Sequence, residues 1–292
     1  DRIIYTAFGL NWYSNNLLIP ELNGNNKGNI DVFINTKINN LNEKYSYLKV
    51  ENKEITMNIA ELANFRMLNG KEVIINMIND NNKNAVRSYL LGTVMGSILV
   101  QRNYLLFHAN ALEKSGKVIV CMGKSGIGKS TISYILMNRG WKLLSDDLVS
   151  IDEDGMISLG IPRIKLCKDT IDAFNIDFSK LKNLHYYADK YVLDHNYINL
   201  SSGKHKISEV YFLDRDYTEL NSYKNLNILN NEKEKLLYLK KNIYRPELIK
   251  GCKNEYKYFL KTTKLAKELT AYVLTIPNDL LNLEEIICEI FN

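Results

Sequence analysis

Apolar and polar positions alternate over short runs in the first eighty residues. Ile3 to Phe8, Asp31 to Ile34 and Glu54 to Ile59 read as strands separated by polar breaks. Asn69-Gly70 stands between two further strand-like runs, Ala63–Leu68 and Glu72–Met77. That dipeptide supplies the left-handed backbone of a tight turn, so a hairpin is predicted. Asn23–Gly28 carries no apolar residue and reads as a polar loop.

From Asn79 to Asn84 the chain is wholly polar, and a domain boundary is predicted there. Beyond it Val86, Leu90, Leu91, Val94, Met95, Ile98 and Leu99 recur at helical spacing, which predicts a helix with one buried stripe. Gly92 and Gly96 beside that stripe suit close packing. Strands are predicted at Leu105–Phe107 and, past His108, at Ala109–Glu113. Ser115-Gly116 is a turn, and Lys117–Met122 is a buried strand. A Gly-rich loop then leads into a helix at Ser130–Asn138, which Arg139-Gly140 ends, because glycine tolerates the left-handed residue after a last turn. Trp141–Leu144 is a strand. Leu148–Ile151 and Met156–Leu159 read as a hairpin across Asp152–Gly155. Downstream, Ile161–Leu166 and Ile207–Leu213 read as strands, and Tyr258–Thr270 and Leu280–Ile290 as helices. The expected architecture is α/β, with a small β-rich N-terminal domain (residues 1–84) and a larger domain (residues 85–292).

Composition narrows the function classes. At 292 residues and 46% apolar, the chain can bury a full core. The formal charge of +5 is a mild Lys excess, without a dense basic run interleaved with aromatics, so nucleic acid is not an expected partner. Cys121, Cys167, Cys252 and Cys288 lie far apart and form no CxxC pair, which argues against zinc and for a reducing, cytoplasmic setting. The most apolar long stretch, 86–100, is too short to span a bilayer, and DRIIYTAFGLNWY lacks a signal-peptide layout. The expectation is a soluble protein without a membrane partner.

The chemistry concentrates in GKSGIGKS. Gly123, Gly128, Lys129 and Ser130 satisfy G-x-x-x-x-G-K-[ST], a P-loop, with a buried strand before it and an amphipathic helix after it. Glycines let the backbone curve tightly around a phosphate, and the loop amides and the helix N-terminus attract the anion. The candidate nucleotide cradle is Gly123, Lys124, Ser125, Gly126, Ile127, Gly128, Lys129, Ser130 and Thr131. Lys129 would neutralise the β- and γ-phosphates of ATP, and Ser130 would hold Mg2+.

Asp146-Asp147 follow sixteen residues after Ser130, at the end of the next strand-like run. Two adjacent carboxylates need a cation or a proton if buried. Beside a magnesium–nucleotide site, one can help hold the metal and the other can take the proton of an attacking hydroxyl. His108, on the strand leading toward the loop strand, is a candidate neighbour of the pair. Arg163, Lys165, Lys190 and Arg245 are candidate cations for a transferred phosphate. His185, His195 and His205 lie in a polar region and receive no role.

The run HANALEKSGKVIVCMGKSGIGKSTISYILMNRGWKLLSDDLVSI, residues 108–151, resembles the catalytic core of HPr kinase/phosphorylase. The matching positions are His108, Gly123, Ser125, Gly126, Ile127, Gly128, Lys129, Ser130, Arg139, Gly140, Asp146 and Asp147. FGL near the start, LLIPEL, SYLLGTVMGSILVQRN leading to LLFHANAL, and GIPRIKL are similar to the HPr-kinase-like serine kinases, some of which accompany clusters for lasso and related ribosomally made peptides. The resemblance implies an HPr-kinase-like catalytic domain using ATP and Mg2+, with Asp146 as the base, Ser130 and Asp147 organising the metal, and His108 close by. It implies a seryl hydroxyl of a precursor peptide as acceptor, and it leaves the oligomeric state open, with a homo-oligomer allowed since hexamers occur among HPr kinases. Two positions depart from HPr kinases. Thr131 stands where they carry Glu, and no E-x-R-G-L-G-like segment follows. HPr as substrate and the reverse phosphorylase reaction are therefore not expected. Two rival readings are a kinase of free serine or another small hydroxyl compound, and a nucleotide-binding regulatory module without turnover.

Overall fold

The computed structural model describes residues 3–25, 27–39, 44–183, 190–193, 195–215 and 226–291. Two compact units emerge: residues 1–106 with 150–154 and 245–261, and residues 107–149 with 155–244 and 262–292.

In the first unit eight strands form one sheet. Its order is Asn23–Asn25, Ile4–Ala7, Leu10–Ser14, Val32–Ile38, Glu72–Met77, Ala63–Leu68, Glu54–Ile59, Tyr47–Val50. The Asn69-Gly70 hairpin forms with Leu68 opposite Glu72, both turn residues at positive φ. Strict alternation buries Val32, Ile34, Val73, Ile75 and Met77 on one face of the central strands. The predicted helical stripe is buried at every position named, along a continuous run from Lys83 to Gln101. Leu90–Val94 within that run is a π turn, which sequence periodicity does not resolve.

The expected polar loop at Asn23–Gly28 is corrected in part. Asn23–Asn25 is an edge strand paired antiparallel with Ile4–Ala7, and all three residues are exposed. Main-chain pairing alone makes this strand, so its side chains carry no apolar signal. Asn26 lies outside the described residues.

The second unit is built on a six-stranded mixed sheet. Its order is Lys142–Ser145, Ala109–Lys114, Lys117–Met122, Glu209–Arg215, Thr270–Ile276, Leu226–Leu229. Lys117–Met122, Glu209–Arg215 and Thr270–Ile276 are mutually parallel, so their carboxyl ends Met122, Arg215 and Ile276 lie along one edge. Ligand crevices in such sheets open at that edge. A helix was expected through Thr270; it spans Glu255–Glu268, and Thr270 instead opens a strand.

The helix Lys129–Met137 follows the strand Lys117–Met122 and is gripped from two sides. Ile132, Ile135 and Leu136 join a core with Ile119, Trp141 and Leu283, while Tyr134 and Met137 pack on a second core around Leu143, Ile164 and Leu166. Burying such side chains contributes roughly 1.5–3 kcal/mol each. The helix ends as expected at Gly140, with φ 83, and the Trp141 N–H reaches back to the Leu136 carbonyl at 3.1 Å. A three-stranded antiparallel sheet, Ile164–Cys167, Lys190–Leu193 and Leu181–Asn183, lies beside this helix. Among the described residues no helix is long and apolar enough to cross a membrane.

Candidate active site

The strand Lys117–Met122, buried from Val118 onward, delivers Gly123 to the parallel edge of the sheet. A Cβ on Gly123 would lie 3.0 Å from the Ile127 side chain and 3.3 Å from Leu213, so any larger residue there would press on both neighbours. Gly126 and Gly128 have φ of 79° and 120°, conformations that L side chains rarely adopt. Lys124, Ser125 and Gly126 are exposed at the crest of the loop. The Ile132 N–H closes the first helical turn on the Gly128 carbonyl at 2.9 Å. Thr131 faces inward, its hydroxyl 2.9 Å from that of Thr170.

Lys129 is buried, and its ammonium donates to the carbonyls of Gly123 at 2.7 Å and Lys124 at 3.0 Å. Burial pushes its pKa down to about 8, against the pull of Asp147 and Asp146. An ammonium so poorly solvated gains most from a bound anion.

The acidic pair sits at the end of Lys142–Ser145, and its two carboxylates diverge. Asp146 is buried. Its Oδ1 accepts from the Ser130 hydroxyl and the Asn110 amide, both at 2.9 Å, and its Oδ2 accepts from the Lys165 N–H at 2.9 Å. Burial and the Asp147 charge hold its carboxyl above the usual range, opposed by Lys165 and the Ser130 hydroxyl. Asp147 has φ 71, and its side chain is 43% exposed. Its Oδ1 is 3.1 Å from His108 Nδ1 and its Oδ2 accepts from the Lys165 ammonium at 2.9 Å. Burial alone would raise the Asp147 carboxyl, but the His108 contact and Lys165 hold it well below the usual range.

The structure thus brings together Lys129, Ser130, Asp146, Asp147 and His108. One pairing differs from the expectation: Ser130 is bonded to Asp146 rather than Asp147. Of the candidate cations, Lys165 reaches Asp147 with its ammonium and Asp146 with its main-chain N–H alone, and the charge of Lys190, on the strand paired with Ile164–Cys167, is felt at Lys129. Arg163 is buried. Arg245 belongs to the first unit, where it pairs with Glu247. His205 bonds the Ser202 carbonyl, His195 begins a short 3-10 turn, and His185 lies outside the described residues.

Sequence reasoning missed two residues. Asn110 is fully buried and links the acidic pair to the loop helix through Ser133. Its signal is an amide in an otherwise apolar strand stretch, two residues past His108. Arg215, at the end of a neighbouring parallel strand, donates to the Ile127 carbonyl at 2.9 Å and braces the loop from outside.

These residues fit a magnesium nucleotide. The positive-φ glycines leave main chain, not side chain, facing a phosphate. Among the described residues no cluster of three or more His, Cys, Asp or Glu could cage a metal. Magnesium does not need one, since it takes one or two carboxylate or hydroxyl ligands and completes its shell with phosphates and water. Ser130 with Asp146 is such a partial set.

No protein-family model matches the chain. A 52-residue stretch is 36% identical to the HPr kinase/phosphorylase of Chlorobium phaeobacteroides (strain BS1). That stretch is 18% of this chain and 15% of the relative, so the match spans a small part of that protein's length. Among solved structures, the Hpr(Ser) kinase/phosphatase from Coxiella burnetii aligns with a TM-score of 0.31 and 15% identity, over 63% of this chain and 88% of that one.

Proposed function

We propose that this chain is an ATP-dependent kinase of the HPr-kinase-like kind that transfers the γ-phosphoryl group to a seryl hydroxyl. The observation that carries the reading is the pair of diverging carboxylates beside a Gly-rich loop, one bonded to the loop serine and the other half exposed. In this reading the loop amides and Lys129 hold the phosphates. Mg2+, when bound, draws charge from the phosphates, and Ser130 and Asp146 would hold it. Asp147 accepts the proton of the acceptor hydroxyl. His108 and Lys165 fix the orientation of its carboxylate.

This division of labour is the reverse of the one the resemblance implied, which made Asp146 the base. Two facts support the change. The Ser130 hydroxyl touches Asp146, and Asp146 is enclosed while Asp147 is accessible to an incoming hydroxyl. A base must reach its proton before its basicity matters.

The acceptor we propose is a serine of a ribosomally made, lasso-type precursor peptide. What supports it is the similarity of LLIPEL, LLFHANAL and GIPRIKL to kinases that accompany such clusters. For residues 1–84 we propose acceptor presentation, with assembly as the alternative, because the end strands of a sheet offer main-chain groups to an extended peptide or to a second copy. Transfer of label from [γ-32P]ATP to a library of seryl peptides, with free serine in parallel, tests the reading. Phosphoserine in peptides supports it. Label on free serine alone moves the acceptor to a small molecule, and tight ATP binding with no labelled acceptor points to a regulatory module.

A further inference from the structure

Two adjacent carboxylates ordinarily compete for the same cations. Here they point to different partners because the main chain turns left-handed at Asp147, with φ 71. An aspartate adopts that conformation more readily than most side chains but still at a cost, which its surroundings must offset. The Asp147 N–H donates to Asn110 Oδ1 at 3.1 Å. The same amide group donates through Nδ2 to Asp146 Oδ1 and to the Ser133 hydroxyl, each at 2.9 Å. Ser133 in turn donates to the Lys129 carbonyl at 3.1 Å. Asn110 has no exposed surface. One buried side chain thus reads the carboxylate of Asp146, the backbone of Asp147 and the first turn of the loop helix.

We propose that Asn110 is the positioning residue that holds Asp147 left-handed and thereby separates the two carboxylates. With Asn110 in place, Asp146 faces Ser130 while Asp147 faces His108 and Lys165. Without it, the peptide between the aspartates loses its acceptor and residue 147 relaxes to an ordinary conformation. The catalytic consequence rests on the function proposed above; the backbone claim does not.

The preference for glycine or alanine at position 147 reports the handedness there. Both Asp147→Gly and Asp147→Ala remove the carboxylate contacts to His108 and Lys165, and both keep the main-chain carbonyl that His108 Nδ1 reaches at 3.1 Å, so the two variants compare backbone preference. A left-handed residue favours glycine, whereas an ordinary conformation favours alanine through the unfolded chain. With Asn110 present, Asp147→Gly should melt about 2–4 °C above Asp147→Ala. In an Asn110→Ser background that advantage should vanish or reverse. An advantage that persists without Asn110 overturns the proposal. So does its absence while Asn110 is present, a comparison that needs no variant at position 110 and stands even if Asn110→Ser does not fold. In the otherwise native chain, Asn110→Ser should lower kcat for phosphoryl transfer roughly 10²-fold while the Kd for ATP, measured by calorimetry, stays within about threefold. Equal losses in binding and in kcat would mark Asn110 as a structural residue and refute the positioning role. A chain that transfers no phosphate to any acceptor would refute the proposed function, and the melting comparison would still decide the role of Asn110.

Discussion

Replacing Lys129 with Met removes the ammonium buried in the loop and should change how stability depends on pH. In the folded protein burial lowers the Lys129 pKa from 10.5 to about 8. Below pH 8 the folded and unfolded chains are both protonated, and the folded one carries the full cost of the buried charge. Between pH 8 and 10.5 the unfolded chain binds a proton that the folded chain has released, so stability rises with pH through this window. The two pKa values differ by an amount worth about 3 kcal/mol, of which about 2 kcal/mol falls between pH 7.5 and 10. Urea unfolding of the native chain and of Lys129→Met at several pH values isolates the effect as a difference. Other titrating groups, such as the Tyr258 phenol that burial pushes up, cancel in it. The native chain should gain about 2 kcal/mol on the variant from pH 7.5 to 10. Curves that run parallel over that range would show that the Lys129 ammonium is not buried as described.

The same loop makes further demands. Lys129→Ala should abolish detectable ATP binding by calorimetry while leaving the circular dichroism spectrum of the fold intact. Asp147→Asn should retain ATP and lose roughly 10²-fold in kcat, the usual scale of a general base, whereas Asp146→Asn should instead raise the magnesium concentration needed for half-maximal transfer. Gly128→Ala places a Cβ at φ 120 and 3.3 Å from Ile276, so it should weaken ATP binding and cost about 1–3 kcal/mol in urea unfolding. Brief iodoacetamide treatment followed by mass spectrometry should label the exposed Cys167 and spare Cys121, whose thiol burial pushes up to about 12.

What was legible in the sequence is what local rules encode. The Asn69-Gly70 turn, the Gly140 helix stop and the Leu280–Ile290 helix each announce themselves within a dozen residues, and all three form. The loop motif and the acidic pair were readable because phosphate chemistry restricts their residue types and spacing. What could not be read depends on partners distant in the chain. Val32–Ile38 pairs parallel with Glu72–Met77, across an intervening meander of three strands, and nothing local to either strand selects that neighbour. Asn23–Asn25 is held by main-chain pairing alone. The different partners of Asp146 and Asp147, on which the proposed roles rest, were hidden for a related reason. They turn on Asn110, on Lys165 and on the sign of one φ angle, none of which is visible in an Asp-Asp dipeptide.

The central claim is that this site moves a phosphoryl group from ATP to a serine. Incubating the chain with [γ-32P]ATP, Mg2+ and seryl peptides, with Asp147→Asn as the control, tests it most directly. The account predicts acid-stable, alkali-labile label on peptide serine with the native chain and roughly 10²-fold less with the variant. Label of equal intensity from both proteins, or ATP bound with no label on any hydroxyl, would contradict it.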